Sequence, residues 1–439
     1  MQPRRPAALS ALAENGPGRL SFLERSVFSM SEITFITGGV TAAQGFSATG
    51  EHVGIRRNRA RRDLALVVSE VPASAACMYT QNQLKGAPIL VTREHMENGM
   101  AQAIVCNSGN ANTCSPGGVE LARNVCALVE QYVGVPAQDV IVASTGVVGQ
   151  PMTLEPFASG MGRLADSLEA TPTGGRRAAE AIMTTDTVAK EAAVRFPLGG
   201  KQCKLGGMAK GSGMIAPNMA TMLCFLTTDA AISPVALKRA LATVVGDTFN
   251  MLSVDGDAST NDMVSILANG MAGNPVIETC MGAEYEAFVA ALYQVAANLC
   301  AQLARDGEGA TKLMVCEVSG ARTDAAAKAV AKTVVKSTLL KAAIFGADAN
   351  WGRVLNAVGN AGVAVDMAKV DVNFRSKRGI IAVCRGGMGV AFSEENAREI
   401  LLDDEITIQI ALNSGSETAK AWGCDLSYEY VKINGDYRT

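Results

Sequence analysis

The chain has 439 residues, 48% of them hydrophobic, and its 39 Lys and Arg residues nearly balance its 42 Asp and Glu residues. It is long enough to bury a sizeable core but has no global charge to hold a polyanion, and aromatic residues at 5% offer little base stacking, so nucleic acid is not an expected partner. With only two histidines, His52 and His95, histidine catalysis and zinc clusters are not expected, and no apolar run reaches the roughly 20 residues of a membrane span.

The amino-terminal 29 residues differ in composition from the rest. They contain four arginines together with Pro and Ser, as mitochondrial transit peptides do, although Glu14 and Glu24 interrupt the pattern. We predict a disordered extension over residues 1–29 and a fold that begins near Met30, where the sequence starts to alternate. The expected location is cytoplasmic, or mitochondrial if the extension is a transit peptide.

Strand and helix patterns alternate along the remaining sequence, which predicts an α/β or mixed α+β fold. No linker or fixed-period repeat marks a domain boundary. Predicted strands are Leu64–Glu70, Pro88–Thr92, Ala103–Cys106, Val140–Ala143, Ala310–Val318, Val370–Phe374, Ile380–Cys384 and Ile406–Leu412. Predicted helices are Val119–Tyr132, Arg176–Met183, Pro234–Asn250, Ala283–Arg305 and Asp324–Ala343.

The eleven cysteines are scattered, contain no CxxC pair and have mostly apolar neighbours. An odd number without a secretory signal predicts reduced cysteines that act as small core residues of a cytosolic protein.

The segment from Lys210 to Leu226 is the most unusual one. Lys-Gly-Ser-Gly at 210–213 precedes a run, Met214 to Leu226, that contains no charged residue. Composition alone favours a glycine turn that leads into a buried strand, with Thr221 as an ordinary β-forming residue.

The stretch KGSGMIAPNMATML, from Lys210 to Leu223, is nevertheless similar to the signature around the processing site of the ornithine acetyltransferase family. Other stretches resemble that family in the same order, so that the likeness covers about residue 33 to Thr439. They are NSGNAN (107–112), STGVVG (144–149), MTTDT (183–187), VDGDASTND (254–262), DGEGATK (306–312), GADANWGR (346–353) and the terminal YVKINGDYRT.

The resemblance implies a self-processed fold of the N-terminal-nucleophile type. Cleavage between Ala220 and Thr221 would give an α chain, residues 30–220, and a β chain, residues 221–439, that together form one site. A threonine hydroxyl is a weak nucleophile, but a freed α-amine titrates near pH 8 and can act as its base. Before cleavage the same hydroxyl can attack the Ala220 carbonyl in an N-to-O acyl shift, with Gly211, Gly213 and Pro217 setting the turn.

The loop after Val140–Ala143 is similar to the oxyanion hole of the family, which assigns Thr145 and Gly146 to that role. Without the resemblance, these residues are typical of a glycine turn at a strand end.

The resemblance also implies a set of substrate-binding residues: Thr184, Lys210, Thr221, Glu308, Asn434 and Thr439. Lys210 suits a carboxylate and Glu308 suits an ammonium group, while the others supply hydrogen bonds. Taken alone, Lys210 and Glu308 are typical of solvated surface charges. Thr184 and Thr185 are interchangeable in this assignment, and Asp186 is interpreted as a turn cap.

The implied reaction is a ping-pong acetyl transfer in arginine biosynthesis. N-acetylornithine acetylates Thr221, ornithine leaves, and glutamate takes the acetyl group to give N-acetylglutamate. Such a glutamate N-acetyltransferase needs no metal or cofactor, and some family members also use acetyl-CoA as a co-substrate, which makes them bifunctional amino-acid N-acetyltransferases. The family further implies that α and β chains assemble as a heterotetramer.

Two other classes of protein use the same features. A self-processed amidohydrolase or aminopeptidase would let water resolve the acyl-enzyme, and a non-catalytic binding protein would keep the chain intact.

Two further features are assigned no site. Five arginines between Arg56 and Arg62 suit an acidic partner but are more typical of a solvated loop. The run GGMGV at 386–390 lacks the GxGxxG spacing, so no nucleotide site is predicted there.

Overall fold

The computed structural model describes residues 32–215, 222–257 and 259–436. The predicted extension at 1–29, the fold start at Met30, Pro217, the cleavage pair Ala220 and Thr221, and the terminal Thr439 therefore lie outside the described residues.

Helices and strands alternate, which confirms the mixed α/β class. The strands are β1 (Thr34–Ile36), β2 (Phe46–Glu51), β3 (Leu64–Tyr79), β4 (Met100–Asn110), β5 (Val140–Val147), β6 (Lys190–Leu198), β7 (Lys201–Lys210), β8 (Leu223–Thr228), β9 (Leu252–Ser253), β10 (Met263–Ala268), β11 (Leu313–Ala321), β12 (Asp371–Ser376), β13 (Gly379–Arg385), β14 (Met388–Gly389), β15 (Glu405–Ala411) and β16 (Glu417–Cys424). The α-helices are α1 (Ala87–His95), α2 (Gly118–Val133), α3 (Glu155–Asp166), α4 (Pro172–Ala181), α5 (Pro234–Asp247), α6 (Ala283–Arg305), α7 (Asp324–Lys336), α8 (Thr338–Phe345), α9 (Trp351–Gly359), α10 (Glu394–Leu401) and α11 (Tyr428–Asp436).

Two mixed sheets organise the described residues. The first has the order β1-β6-β7-β8-β10-β3-β4-β5, with β2 also paired to β3, and the second has the order β14-β13-β12-β15-β11-β16-β9. Strands β7 and β8 are antiparallel neighbours, with Lys210 opposite Leu223. The predicted cleavage point lies in the connection between them, so the first sheet takes strands from both sides of it.

Strand β8 is buried along its whole length, as the apolar run before Leu226 predicts. Its alternate residues enter two different cores: Cys224 and Leu226 pack on one face of the sheet, and Leu223 and Phe225 on the other. Successive side chains of a strand point to opposite faces of the sheet. A strand that is buried on both faces therefore needs an unbroken apolar sequence.

Helix α6 packs against β6 and β7 of the first sheet and against β11 and β16 of the second. By length and composition this helix could cross a membrane, but 67% of its apolar stretch is buried inside the fold. Its apolar residues are therefore explained by a position between two sheets.

The predicted strand Pro88–Thr92 is wrong, because these residues lie in α1. A five-residue apolar run fits a helix as well as a strand, and Pro88 stands in the first helical turn, where its missing N–H forfeits no hydrogen bond. The predicted helix Asp324–Ala343 is divided into α7 and α8. Ser337 has extended backbone angles there, and its hydroxyl accepts a hydrogen bond from the Leu340 N–H (3.3 Å), which starts the second helix.

The other predicted elements are confirmed, with α2 and α6 matching to within one residue. Helix α4 begins four residues earlier than predicted, because Thr171 caps it. All eleven cysteines are free and nine are buried, as predicted, whereas Cys114 and Cys280 are exposed.

Candidate active site

The carboxyl ends of β5 and β7 meet at one point of the first sheet. Lys210, the last residue of β7, is only 5% exposed, and its Nζ donates a hydrogen bond to Thr145 Oγ1 of β5 at 3.2 Å. The expected alternative of a solvated surface lysine is therefore wrong for Lys210. A hydroxyl of the predicted oxyanion hole and a predicted substrate cation are thus in direct contact.

Gly146, the second predicted oxyanion residue, has φ +131, a conformation that favours glycine. A Cβ atom there would lie 2.3 Å from the Gly109 carbonyl carbon and 2.6 Å from the Asn110 nitrogen. Strand β4 therefore approaches β5 too closely for any side chain, which is the packing reason for the glycine next to Thr145.

The turn at 183–187 is fastened to the start of the Lys210–Leu223 segment by Asp186, which is fully buried. Its carboxylate accepts hydrogen bonds from the Gly211 N–H (2.7 Å), the Thr184 N–H (2.8 Å) and Lys190 Nζ (2.7 Å). Asp186 thus does more than cap its own turn, because it joins Thr184 to the residue after Lys210.

Lys190 extends this network to the loop of the predicted Glu308. Its side chain is fully buried, and Nζ lies 2.7 Å from Asp186 Oδ1 and 2.5 Å from Asp306 Oδ2. Asp306 also accepts hydrogen bonds from the backbone N–H (3.0 Å) and the hydroxyl of Thr187. Together with Lys210 these side chains form a cluster of two cations and two anions, so the buried charges balance.

Electrostatics within this cluster are strong because water is excluded. Burial alone would raise the pKa of Asp186, but the Lys210 and Lys190 ammonium groups and the Gly211 N–H hold that pKa well below its ordinary value. Burial lowers the pKa of Lys210, and the Asp186 carboxylate opposes the shift.

Glu308 lies on the other side of the same segment. Its backbone N–H donates to the Ser212 carbonyl (2.7 Å), and its Oε2 accepts a hydrogen bond from Asn434 Nδ2 (2.8 Å). A Cβ atom on Gly213 would lie 2.3 Å from the Glu308 carboxylate, so Gly213 makes room for that side chain. The Thr185 hydroxyl is 2.7 Å from Ser212 Oγ, whereas the Thr184 hydroxyl lies 3.5 Å from Asp186 Oδ2, so that of the two threonines Thr185 contacts this segment directly.

The backbone that leads towards residue 216 is held in an unusual conformation. Met214 has φ +56, a left-handed value that is unfavourable for a residue with a side chain. The Asp255 carboxylate accepts hydrogen bonds from the N–H groups of Met214 and Ile215 and lies 3.3 Å from the Tyr430 hydroxyl. Asp255, which belongs to the motif VDGDASTND, therefore fixes the backbone of Met214 and Ile215.

The structure thus brings Thr145, Lys210, Thr184, Glu308 and Asn434 around residues 210–215 through direct contacts or one shared partner. Gly146 lies beside Thr145. The remaining predicted site residues, Ala220, Thr221 and Thr439, lie outside the described residues.

Sequence reasoning missed four residues of this site: Lys190, Asp306, Asp255 and Ser212. The i,i+4 spacing of Asp186 and Lys190 was a usable signal, but the contact between Lys190 and Asp306 spans 116 residues. Only the tertiary fold creates that contact. Conversely, GADANWGR does not join this network: Asn350 caps α9, where its side chain accepts the Arg353 N–H at 3.1 Å.

The family profile and similar known proteins all point to one protein family. The ArgJ family profile matches residues 47–439. The arginine biosynthesis bifunctional protein ArgJ of Symbiobacterium thermophilum is 48% identical over 407 residues, 92% of this chain and 100% of that protein. The protein of the same name from Caldanaerobacter subterraneus subsp. tengcongensis is 46% identical over 405 residues, 92% of this chain and 99% of that one.

Similar solved structures include the arginine biosynthesis bifunctional protein argJ from Bacillus halodurans. It is 44% identical in sequence, the match covers 48% of this chain and 97% of that chain, and the TM-score is 0.45. Another is the ornithine acetyltransferase of Mycobacterium tuberculosis complexed with ornithine, 34% identical, covering 42% of this chain and 98% of that chain, with a TM-score of 0.39.

Proposed function

The chain belongs to the ArgJ family and is an acetyltransferase of arginine biosynthesis, and we propose that it works by ping-pong transfer through an acetyl ester of Thr221. The observation that carries this proposal is the buried contact between Lys210 and Thr145. It sets a cation and a candidate oxyanion donor at the start of the segment that leads to Thr221.

The first proposed step is self-cleavage between Ala220 and Thr221. The Thr221 hydroxyl adds to the Ala220 carbonyl and the peptide C–N bond breaks, which leaves an ester and a free amine. Water then hydrolyses the ester and releases the Ala220 carboxylate. The left-handed conformation of Met214, which costs about 1–2 kcal/mol, supports this step because strained backbone occurs six residues before Ala220 in the sequence.

In the first half-reaction the freed Thr221 amine accepts the proton of the Thr221 hydroxyl, which attacks the acetyl carbonyl of N-acetylornithine. The amide C–N bond breaks, the proton passes to the leaving amine, and ornithine departs. Thr145 and Gly146 stabilise the oxyanion. In the second half-reaction the amine of glutamate attacks the ester, which gives N-acetylglutamate and restores the hydroxyl.

Recognition is assigned to the residues around 210–215. Lys210 binds the carboxylate common to both amino acids, and Glu308, held by Asn434, binds the ornithine ammonium. Thr184 and Thr439 donate hydrogen bonds. Asp186 and Lys190 act as positioning residues, because they fix Lys210 and Thr184 without being placed against substrate.

The proposal extends to the assembly and the donor. Paired α and β chains form a heterotetramer in the cytoplasm, and acetyl-CoA serves as a second acetyl donor, which corresponds to the bifunctional name of the relatives. No resident metal or cofactor takes part in the transfer.

Two measurements test this function. Amino-terminal sequencing of purified protein should find Thr-Met-Leu-Cys at a second amino terminus, whereas Thr221→Ala should remain one chain. Incubation with N-acetylornithine alone should add one acetyl group to the fragment that begins at Thr221, and glutamate should remove it. An intact, fully active wild type would refute the proposal, and release of acetate in preference to N-acetylglutamate would identify an amidohydrolase instead.

A further inference from the structure

The peptide bond between Ser144 and Thr145 lies where the regular pairing of β4 and β5 breaks down. The two strands pair in parallel register as far as Gly109 and Gly146, and the register shifts at Asn110, which is also opposite Thr145. A bulge of this kind disrupts the ladder of backbone hydrogen bonds and bends the strand. Groups outside the ladder are therefore needed to hold the backbone of Thr145 in one conformation.

The carbonyl of Ser144 is held by a side chain from a distant part of the sequence, Asn261 of the motif VDGDASTND. Nδ2 of Asn261 donates hydrogen bonds to the carbonyl oxygens of Ser144 (2.9 Å) and Ala111 (2.6 Å). Because a peptide unit is planar, a fixed Ser144 carbonyl also sets the direction of the Thr145 N–H at the other end of the unit. Asn261 thus supports the backbone that carries the Thr145 side chain.

The amide of Asn261 has only one orientation that satisfies its neighbours. Its Oδ1 accepts hydrogen bonds from the hydroxyl groups of Thr113 and Thr260, each at 2.6 Å. Carbonyl oxygens can only accept, so the NH₂ group must face Ser144 and Ala111, and Oδ1 must face the two hydroxyls. Asn261 is only 6% exposed, and each donor and acceptor of its amide is used. A fully satisfied buried network of this kind is rigid.

Packing around the amide restricts it further. A Cβ atom on Gly86 would lie 2.5 Å from Asn261 Oδ1 and 2.7 Å from Asn261 Nδ2. The Gly86 N–H also donates to the Thr260 carbonyl at 3.1 Å, which holds the two segments together. The amide is therefore enclosed by backbone, and it cannot turn without displacing that backbone.

The hydroxyl of Thr145 needs such support if it is to donate to an oxyanion. Lys210 Nζ has no acceptor, so Thr145 Oγ1 is the acceptor in their 3.2 Å contact. The hydroxyl proton of Thr145 is thus left to donate to a further oxygen. A donor aimed at developing charge is effective only when the surrounding residues hold it in place before the reaction.

We propose that Asn261 is a positioning residue of the oxyanion hole. Its amide holds the Ser144–Thr145 peptide unit, so that the Thr145 hydroxyl and the Gly146 backbone keep one direction. The inference rests on the proposed acyl transfer and adds a residue to it. Ser144 precedes the proposed cut and Asn261 follows it, so one half of the cleaved protein would orient the catalytic backbone of the other.

The test is Asn261→Asp, which keeps the shape of the side chain but places an oxygen where Nδ2 faces two carbonyls. The kcat for transfer from N-acetylornithine to glutamate, referred to the amount of fragment that begins at Thr221, should fall by about tenfold to a hundredfold, because small misplacements of a catalytic group are this costly. The Kd of ornithine, measured by calorimetry, should stay within about twofold of wild type, since Lys210 and Glu308 are retained.

Asn274→Asp is the matched control. Asn274 is also 6% exposed, and its Nδ2 likewise donates to two backbone carbonyls, those of Ala231 (3.2 Å) and Pro275 (2.8 Å). These residues follow β8, beyond the end of that strand opposite to Lys210. Asn274→Asp should therefore lower the urea midpoint about as much as Asn261→Asp does, but should leave kcat unchanged.

A double variant separates positioning from a general structural role. If Asn261 acts through Thr145, the loss caused by Asn261→Asp should be much smaller in a Thr145→Ala background than in wild type. Thr113→Val provides a milder variant should Asn261→Asp not fold. It removes the 2.6 Å hydrogen bond to Asn261 Oδ1 with little change of shape, and it should lower kcat by about threefold or more with the Kd of ornithine retained.

Three results would overturn the inference. They are equal losses of kcat in Asn261→Asp and Asn274→Asp, independent losses that multiply in the double variant with Thr145→Ala, and an unchanged kcat in Thr113→Val. Each of these would leave the proposed acetyl transfer standing. A wild type that transfers no acetyl group from N-acetylornithine would instead refute the proposed function, and this inference with it.

Discussion

Replacement of Asp186 by Asn removes one charge from the buried cluster while keeping the shape of the side chain. The carboxylate accepts hydrogen bonds from Lys190 Nζ and from the N–H groups of Gly211 and Thr184, all within 2.8 Å. An Asn side chain has one accepting oxygen, and its NH₂ group is a donor. At least one of these three donors would therefore face another donor in a site from which water is excluded.

The expected loss of unfolding free energy is about 3–5 kcal/mol, the usual cost of removing one partner from a buried ion pair. The pH dependence gives an independent signature. Because the pKa of Asp186 is held below its unfolded value of about 3.9, its stabilisation is present above that value and is lost as pH falls through the native pKa. The difference between wild type and Asp186→Asn should therefore be full at neutral pH and shrink below about pH 4.

Urea unfolding in a Thr221→Ala background measures this effect on a single chain. The control is Glu399→Gln. This substitution removes an exposed ion pair, in which Glu399 Oε2 lies 3.4 Å from Arg378 Nη1, and should lower the free energy of unfolding by less than about 1 kcal/mol. If Asp186→Asn costs no more than this control, or if its effect persists unchanged in acid, Asp186 does not hold the cluster as described.

Three further variants test the assigned roles at the site. Thr145→Ala should slow acetyl transfer roughly tenfold to a thousandfold with the urea midpoint retained, because one oxyanion donor is lost; unchanged turnover would place the hole elsewhere. Lys210→Ala should weaken acetylation and deacetylation of Thr221 alike in single-turnover kinetics, since both amino acids present the same carboxylate. Glu308→Gln should impair the ornithine step more than the glutamate step, and equal losses would indicate proton transfer at the Thr221 amine instead.

Local patterns predicted most of the elements. The bounds of helix α6 are predicted correctly because its long apolar pattern ends at Asp306-Gly307. The existence of a buried strand near Leu226, though not its bounds, follows from the uncharged run. The prediction of a strand at Pro88–Thr92 is wrong because so short an apolar run shows no periodicity that distinguishes a strand from a helix. Long patterns are informative where short ones are ambiguous.

The site was predicted where residues belong to a motif and missed where they act through a distant partner. Thr145 and Lys210 came from the family resemblance, and their 3.2 Å contact joins residues 65 positions apart. The i,i+4 spacing of Asp186 and Lys190 indicates one ion pair, but nothing local in the sequence marks Asp306, 116 residues away, as the second partner of Lys190. A buried lysine at the start of a strand resembles a surface one until the fold supplies its two carboxylates.

The strand order of the first sheet bears on how a cleaved protein could assemble. Residues before the proposed cut supply β7 and β3, and residues after it supply β8 and β10, which lie between those two strands. An amino-terminal half made alone would have a gap two strands wide and two open hydrogen-bonding edges, which favour aggregation. Separately expressed halves should therefore reconstitute poorly, and we predict that the intact chain folds before the proposed cut.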